Sequence, residues 1–150
     1  MYNKNLDFGR IHILYTILPR VVMEPNHHLF CHNAGVMCVF KKEIPPLSNY
    51  TVQTRIWTWN QKWLWLQHRF VLPNGDIACY AVSKLVFKKT SGRTVPPTDI
   101  FELCGHELDA GVEQRRKHNW DIAGNLLELD GLVKDPFSWN EQTLLPPAKL

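Results

Sequence analysis

A chain of 150 residues, 45% hydrophobic and 21% charged, fits one domain large enough to bury a substantial core. Its net charge of +3 is too small for a dedicated nucleic-acid face, and no apolar run approaches the ~20 residues of a membrane span. The four cysteines, Cys31, Cys38, Cys79 and Cys104, lack CxxC spacing. With the polar opening MYNKNLDFGR, they predict free thiols in the cytoplasm and no secretory leader.

In chain order, residues 3–18 (NKNLDFGRIHILYTIL) read as a helix, with Asn3 or Asn5 as its cap and Pro19 ending it. Leu6, Phe8, Ile11, Ile13, Leu14, Tyr15, Ile17 and Leu18 occupy nearly the whole circumference, which predicts burial on several sides. A strand is expected from about Leu29 to Lys41, and the two prolines of EIPPLSNY then mark a bend. Tyr50–Trp59 alternates and is rich in Thr, Val, Ile and Trp, the pattern of a strand. NQK turns the chain into a second strand, Trp63–Leu72. PNGD is a hairpin signal, and Ile77–Lys88 completes a three-stranded antiparallel meander.

After TSGRTVPP the sequence becomes helix-prone and charge-mixed, and DPFSWNEQTLLPPAKL reads as an irregular tail. One helix, a long antiparallel sheet and C-terminal helices predict an α+β fold. The expected organisation is a single domain over residues 1–150, with a core of about 2–100 and an extension of about 101–150.

Strand parity places Val52, Thr54, Ile56 and Thr58 on one face, and Gln53, Arg55, Trp57 and Trp59 on the other. The four tryptophans of TRIWTWNQKWLWLQHRF therefore read as cross-strand packing, Trp57 and Trp59 set against Trp63 and Trp65. Lining an apolar pocket or a subunit interface is the functional option. Arg55, Lys62 and Arg69 are too few for stacking on nucleic acid.

The segments YNKNLDFGR, KKEIPPLSNYTVQTRIWTWNQKWLWLQHRFV and a hydrophobic strand ending in GRTVPP together resemble hotdog-fold thioesterases. They are most similar to the 4-hydroxybenzoyl-CoA thioesterase-like group, which includes thioesterase superfamily member 6-like proteins and fungal members. The resemblance covers about residues 2–100. It implies a long antiparallel sheet wrapped around a central helix, and dimers or tetramers whose sheets join edge to edge. It also implies hydrolysis of an acyl-CoA or carrier-bound acyl thioester, in fungal secondary metabolism for some members, without metal or cofactor and without a nucleic-acid or membrane partner. The alternatives are a non-catalytic hotdog binding or assembly subunit and a cone-shaped α+β cyclase or isomerase.

Thioester hydrolysis in this fold needs a carboxylate as base or nucleophile, and backbone N–H groups at a helix start to hold the carbonyl. The resemblance assigns the carbonyl to the helix start at Tyr2 and Asn3, where the positive dipole end lies. The family's acid just before this helix has no counterpart after Met1. Asp7 is then the carboxylate that the resemblance places nearest the thioester; its plain alternative is a helix-stabilising pair with Arg10.

His68 and Trp57 are assigned to the substrate pocket, although a lone His beside Leu64, Leu66 and Phe70 is more often a hydrogen-bonded core residue. His27, His28 and His32 lack a metal-ligand pattern. Ser48, Ser83 and Ser91 lack a nucleophile motif. Lys84, Lys88, Lys89 and Arg93 form a basic strip suited to solvation or to the phosphates of CoA or phosphopantetheine.

Overall fold

The computed structural model describes residues 2–24 and 28–134. Helix α1 (Tyr2–Thr16) and a short α2 (Pro19–Met23) precede four long strands: β1 (Leu29–Phe40), β2 (Thr51–Trp59), β3 (Trp63–Val71) and β4 (Ile77–Lys89). A two-residue β5 (Thr94–Val95), α3 (Pro97–Leu103), α4 (Ala110–Leu126) and a 3-10 segment (Leu127–Lys134) follow. The strands form one antiparallel sheet in the order β1-β4-β3-β2, with β5 added beside β4. This is the expected α+β hotdog architecture.

Local chemistry accounts for most boundaries. Pro19 ends α1 as expected, but it also opens α2, because a proline at the first helical position loses no hydrogen bond. Helix α1 begins at Tyr2, so Asn3 and Asn5 lie within its first turns and do not cap it. At the β3–β4 hairpin, Gly75 adopts φ +87°, which the Asn-Gly pair makes inexpensive.

The two faces of the sheet are covered differently. On the inner face, Leu64, Leu66, Phe70, Leu85 and Phe87 pack against Leu6 and Ile13 of α1 and against Leu18, Ile100 and Phe101. On the outer face, Trp57, Trp65 and Val82 receive Ala123 of α4.

The expected parity of β2 fails at one point. A register shift between Ile56 and Thr58 places Ile56 opposite Leu66 but Thr58 opposite Trp65. The extra residue, Trp57, reverses the alternation beyond it. Trp59 therefore turns inward, edge-on to Phe101 at 4.8 Å, while Trp57 remains outside beneath α4. The two rings do not share a face.

Helix α1 is also less enclosed than its apolar circumference predicts. Leu6, Arg10 and Ile13 are buried, but Phe8, Ile11 and Tyr15 are 59, 48 and 52% exposed. The helix lies against one side of the sheet, and no described element covers its opposite side.

The helix sits close to the sheet where Gly9 meets β2. A methyl group on Gly9 would run into Thr54 Oγ1. Gly9→Ala is accordingly expected to lower stability by about 1–3 kcal/mol despite its better helix propensity. Denaturant unfolding measures this; a stabilised Gly9→Ala protein would show that the approach is not tight.

Candidate active site

Between α1 and the sheet runs a chain of buried polar side chains from four elements. Arg10, 6% exposed, donates from Nη1 to Ser83 Oγ at 2.9 Å. Ser83 Oγ lies 2.9 Å from His68 Nε2, and His68 Nδ1 lies 2.9 Å from Thr54 Oγ1. His68 and Ser83 are fully buried. Burial, reinforced by the Arg10 charge, pushes the His68 imidazole down to about 4, so it is neutral at physiological pH. Burial likewise lowers Arg10 from its ordinary value. At the outer end, Arg10 Nη2 pairs with Asp7 Oδ1. The Asp7 side chain is 60% exposed, and its Oδ2 has no hydrogen-bond partner among the described residues.

A hollow of about 550 Å³ opens along the uncovered side of α1, between that helix and β2. Asn5, Phe8, Gly9, Ile11, His12, Tyr15, Val52 and Thr54 line it. Asp7 is not among them; it projects from a different side of the helix, beside Arg10. Asn5 donates to the Tyr50 hydroxyl. Thr54 links the hollow to the buried polar chain through His68.

A second cleft of about 320 Å³ lies between the far end of β2, Ile17 just past α1, and the segment from Phe101 into α4. Ile17, Ile56, Trp57, Trp59, Phe101 and Val112 contribute to its walls.

The expected site residues are thus dispersed. Tyr2 has its ring against Phe40 and Phe70, each at 5.0 Å, and burial raises its phenol above the ordinary value. Asn3 is exposed at the start of α1. His68 is sealed between helix and sheet, and Trp57 lines the second cleft. Of the expected basic strip, Lys84 is buried: it pairs with Asp130 at 2.8 Å and lies 4.6 Å from the Trp63 ring centroid. It is spent on holding the 3-10 segment to the sheet, whereas Lys89 and Arg93 are exposed. His27 lies outside the described residues.

Sequence reasoning assigned His12 no site role and marked Asn5 only as a helix cap, yet both share the hollow with Thr54. Both sit at helical spacing from Gly9, but that signal becomes legible only once the helix face toward β2 is known.

Residues 1–113 match the family model described as the thioesterase-like superfamily. The chain belongs to the thioesterase-like superfamily. Among curated relatives of this superfamily, it is 31% identical over 105 residues to the probable thioesterase YBR096W of Saccharomyces cerevisiae, covering 69% of this chain and 45% of that protein. It is 27% identical over 184 residues to thioesterase poxG of Penicillium oxalicum, covering 87% of this chain and 60% of that one. The chain therefore spans about half the length of these relatives.

Solved structures of low sequence identity share the fold. The probable thioesterase YbaW of Escherichia coli matches with a TM-score of 0.60 at 14% identity, over 69% of this chain and 78% of that one. The protein SAV2348 of Staphylococcus aureus, solved in complex with CoA, matches with a TM-score of 0.58 at 14% identity, over 99% of this chain and 82% of that one.

The buried imidazole gives this superfamily member a specific acid sensitivity. His68 binds its proton at about 4 when folded, against an ordinary 6.5, so the unfolded chain takes up the proton first. Its contribution is fully present above pH 6.5 and is lost as pH falls toward 4, on the order of 3 kcal/mol in all. Urea unfolding at pH 7 and pH 4.5 is expected to show a smaller acid loss in His68→Gln than in the wild type. Equal losses would mean that His68 is not held neutral.

Proposed function

We propose that this chain is the hotdog domain of an acyl thioesterase, hydrolysing an acyl-CoA or carrier-bound acyl thioester to the free acid and thiol. The observation that carries this reading is a long, largely apolar hollow beside a helix bearing an anchored carboxylate, in a chain of the thioesterase-like superfamily. The relatives named thioesterases, among them poxG and atnL, a probable thioesterase of Emericella nidulans, support the same activity, and the proposed setting of that activity is fungal secondary metabolism.

In this reading the thioester carbonyl meets the N-terminal amides of α1 at Tyr2 and Asn3, where free N–H groups and the helix dipole favour developing negative charge. Asp7 supplies the carboxylate. Arg10 ties Oδ1, leaving Oδ2 to take a proton from water or to attack the carbonyl. Trp57 lines the cleft that takes the acyl group. His68 supports the site from behind, through Thr54 and through Ser83 and Arg10. The protein works as a homodimer in the cytosol. β2 is a sheet edge, and Phe8, Ile11 and Tyr15 beside it leave apolar surface for a second copy to cover.

A second reading places the base at His12, because His12 lines the hollow and Asp7 does not. Thiol release from a panel of acyl-CoAs separates the two. Asp7→Asn is expected to lower kcat by about 100-fold or more, and His12→Gln to leave it within a few-fold. The opposite result would move the chemistry into the hollow. A folded wild type that releases no thiol from any member of the panel would leave the non-catalytic binding subunit.

A further inference from the structure

The hollow beside α1 and the second cleft share no lining residue, but they adjoin neighbouring positions of β2 and of the chain around the end of α1. On β2 the lining passes from Val52 and Thr54 to Ile56, all of one parity and ahead of the register shift. On the helix side it passes from Tyr15 to Ile17. From Asn5 to Ile17 the helix side is about 18 Å long, which suits an extended medium-to-long acyl chain.

The far cleft has an apolar floor. Ile17, Ile56 and Val112 are half-buried and pack onto the main core with one side left open. Trp59 and Phe101 meet edge-to-face beneath them, their planes at 69°. The polar groups around this floor are largely engaged elsewhere in the protein. Arg116 holds Glu113 and the Trp59 carbonyl, Asn119 holds the Trp57 carbonyl, and His106 holds the Ile17 carbonyl. Arg55 donates its Nε to Gln67. What remains for a ligand is chiefly apolar surface, with Glu107 and Arg115 at the exposed mouth.

We infer that this cleft receives the distal end of an aliphatic acyl chain, and that Val112 and Leu108, at the start of α4 and just before it, set the chain length accepted. The inference rests on the thioesterase reading for the identity of the ligand. Val112 and Leu108 lie near the end of the family match over residues 1–113, and the rest of α4, residues 114–126, lies beyond it. The register shift at Trp57 is part of the ruler, because that shift turns Trp59 inward onto the floor.

Two measurements test the inference. In hydrolysis, Val112→Phe is expected to lower kcat/KM for dodecanoyl-CoA by about tenfold or more while leaving hexanoyl-CoA unchanged. Leu108→Trp, at an exposed position, provides the same obstruction if Val112→Phe does not fold. An equal effect on both substrates, or none on either, would overturn the ruler while leaving the thioesterase reading intact.

The second measurement needs no turnover. ω-Bromododecanoate is expected to quench tryptophan fluorescence, and both Trp59→Phe and Val112→Phe should reduce that quenching. With α-bromododecanoate, whose bromine sits at the carboxyl end, the quenching should be weaker. If quenching follows this pattern but no thioester is cleaved, the acyl site stands and the hydrolase reading falls. Absence of quenching, or quenching indifferent to both substitutions, overturns the site.

Discussion

The fold turns on one buried charge. Arg10 carries a guanidinium into the interface between α1 and the sheet, and removing such a group from water is costly unless its donors are satisfied. Ser83 on β4 and Asp7 one helical turn back satisfy it from opposite ends. Ser83 in turn meets a histidine that must remain neutral, since an imidazolium beside the guanidinium would add a second buried positive charge. His68 then meets Thr54, and Thr54 is close enough to the helix that only glycine fits at position 9. Apolar packing alone would allow α1 to slide or rotate over Leu64, Leu66 and Phe70. The directional bond from Arg10 to Ser83 and the close approach of Gly9 to Thr54 specify one placement.

That placement has consequences for the rest of the chain. With Leu6, Arg10 and Ile13 turned toward the sheet, Phe8, Ile11 and Tyr15 must face away. An α-helix apolar on all sides then has one side that no other described element covers. The same geometry sets Asn5, Gly9 and His12 against β2, so the hollow and the anchored carboxylate occupy different sides of one helix. Asp7 consequently has a structural task whatever its chemistry, as counter-ion to the buried guanidinium. Anchoring one of its oxygens through Arg10 and Ser83 ties its position to β4, a central strand, rather than to the flexibility of an exposed side chain.

Much of the fold was legible because its signals are local. The strands announce themselves through two-residue alternation and β-branched or aromatic residues, and the β3–β4 turn through Asn-Gly. Other features depend on pairs distant in sequence. Arg10 and Ser83 are 73 positions apart, and nothing near Ser83 distinguishes it from a solvated serine. The register shift at Trp57 was hidden because bulges need no glycine, and Ile-Trp-Thr-Trp reads equally well as unbroken alternation. Lys84 sits in a run that looks like a basic strand end. Its burial follows from Asp130, 46 residues later, and from tryptophan rings that hold its ammonium from below. The candidate site suffered most, because Asp7 owed its prominence to the family resemblance, while His12 gained its position only from the side of the helix that faces β2.

The uncovered side of α1 and the free edge of β2 lie together, and this is best understood as one device with two uses. An exposed nine-residue edge strand beside large exposed rings is a liability in a monomer. Under the proposed pairing, a second copy joining at β2 satisfies the edge and covers Phe8, Ile11 and Tyr15. The same act roofs the seam between α1 and β2. Apolar surface that the described residues leave open would then become the wall of an enclosed channel, and excluding water there would strengthen the helix-start dipole invoked in the proposed chemistry. Under that proposal, the incomplete burial seen in the single chain and an enclosed channel in the pair have one origin, the way the buried polar chain turns the helix.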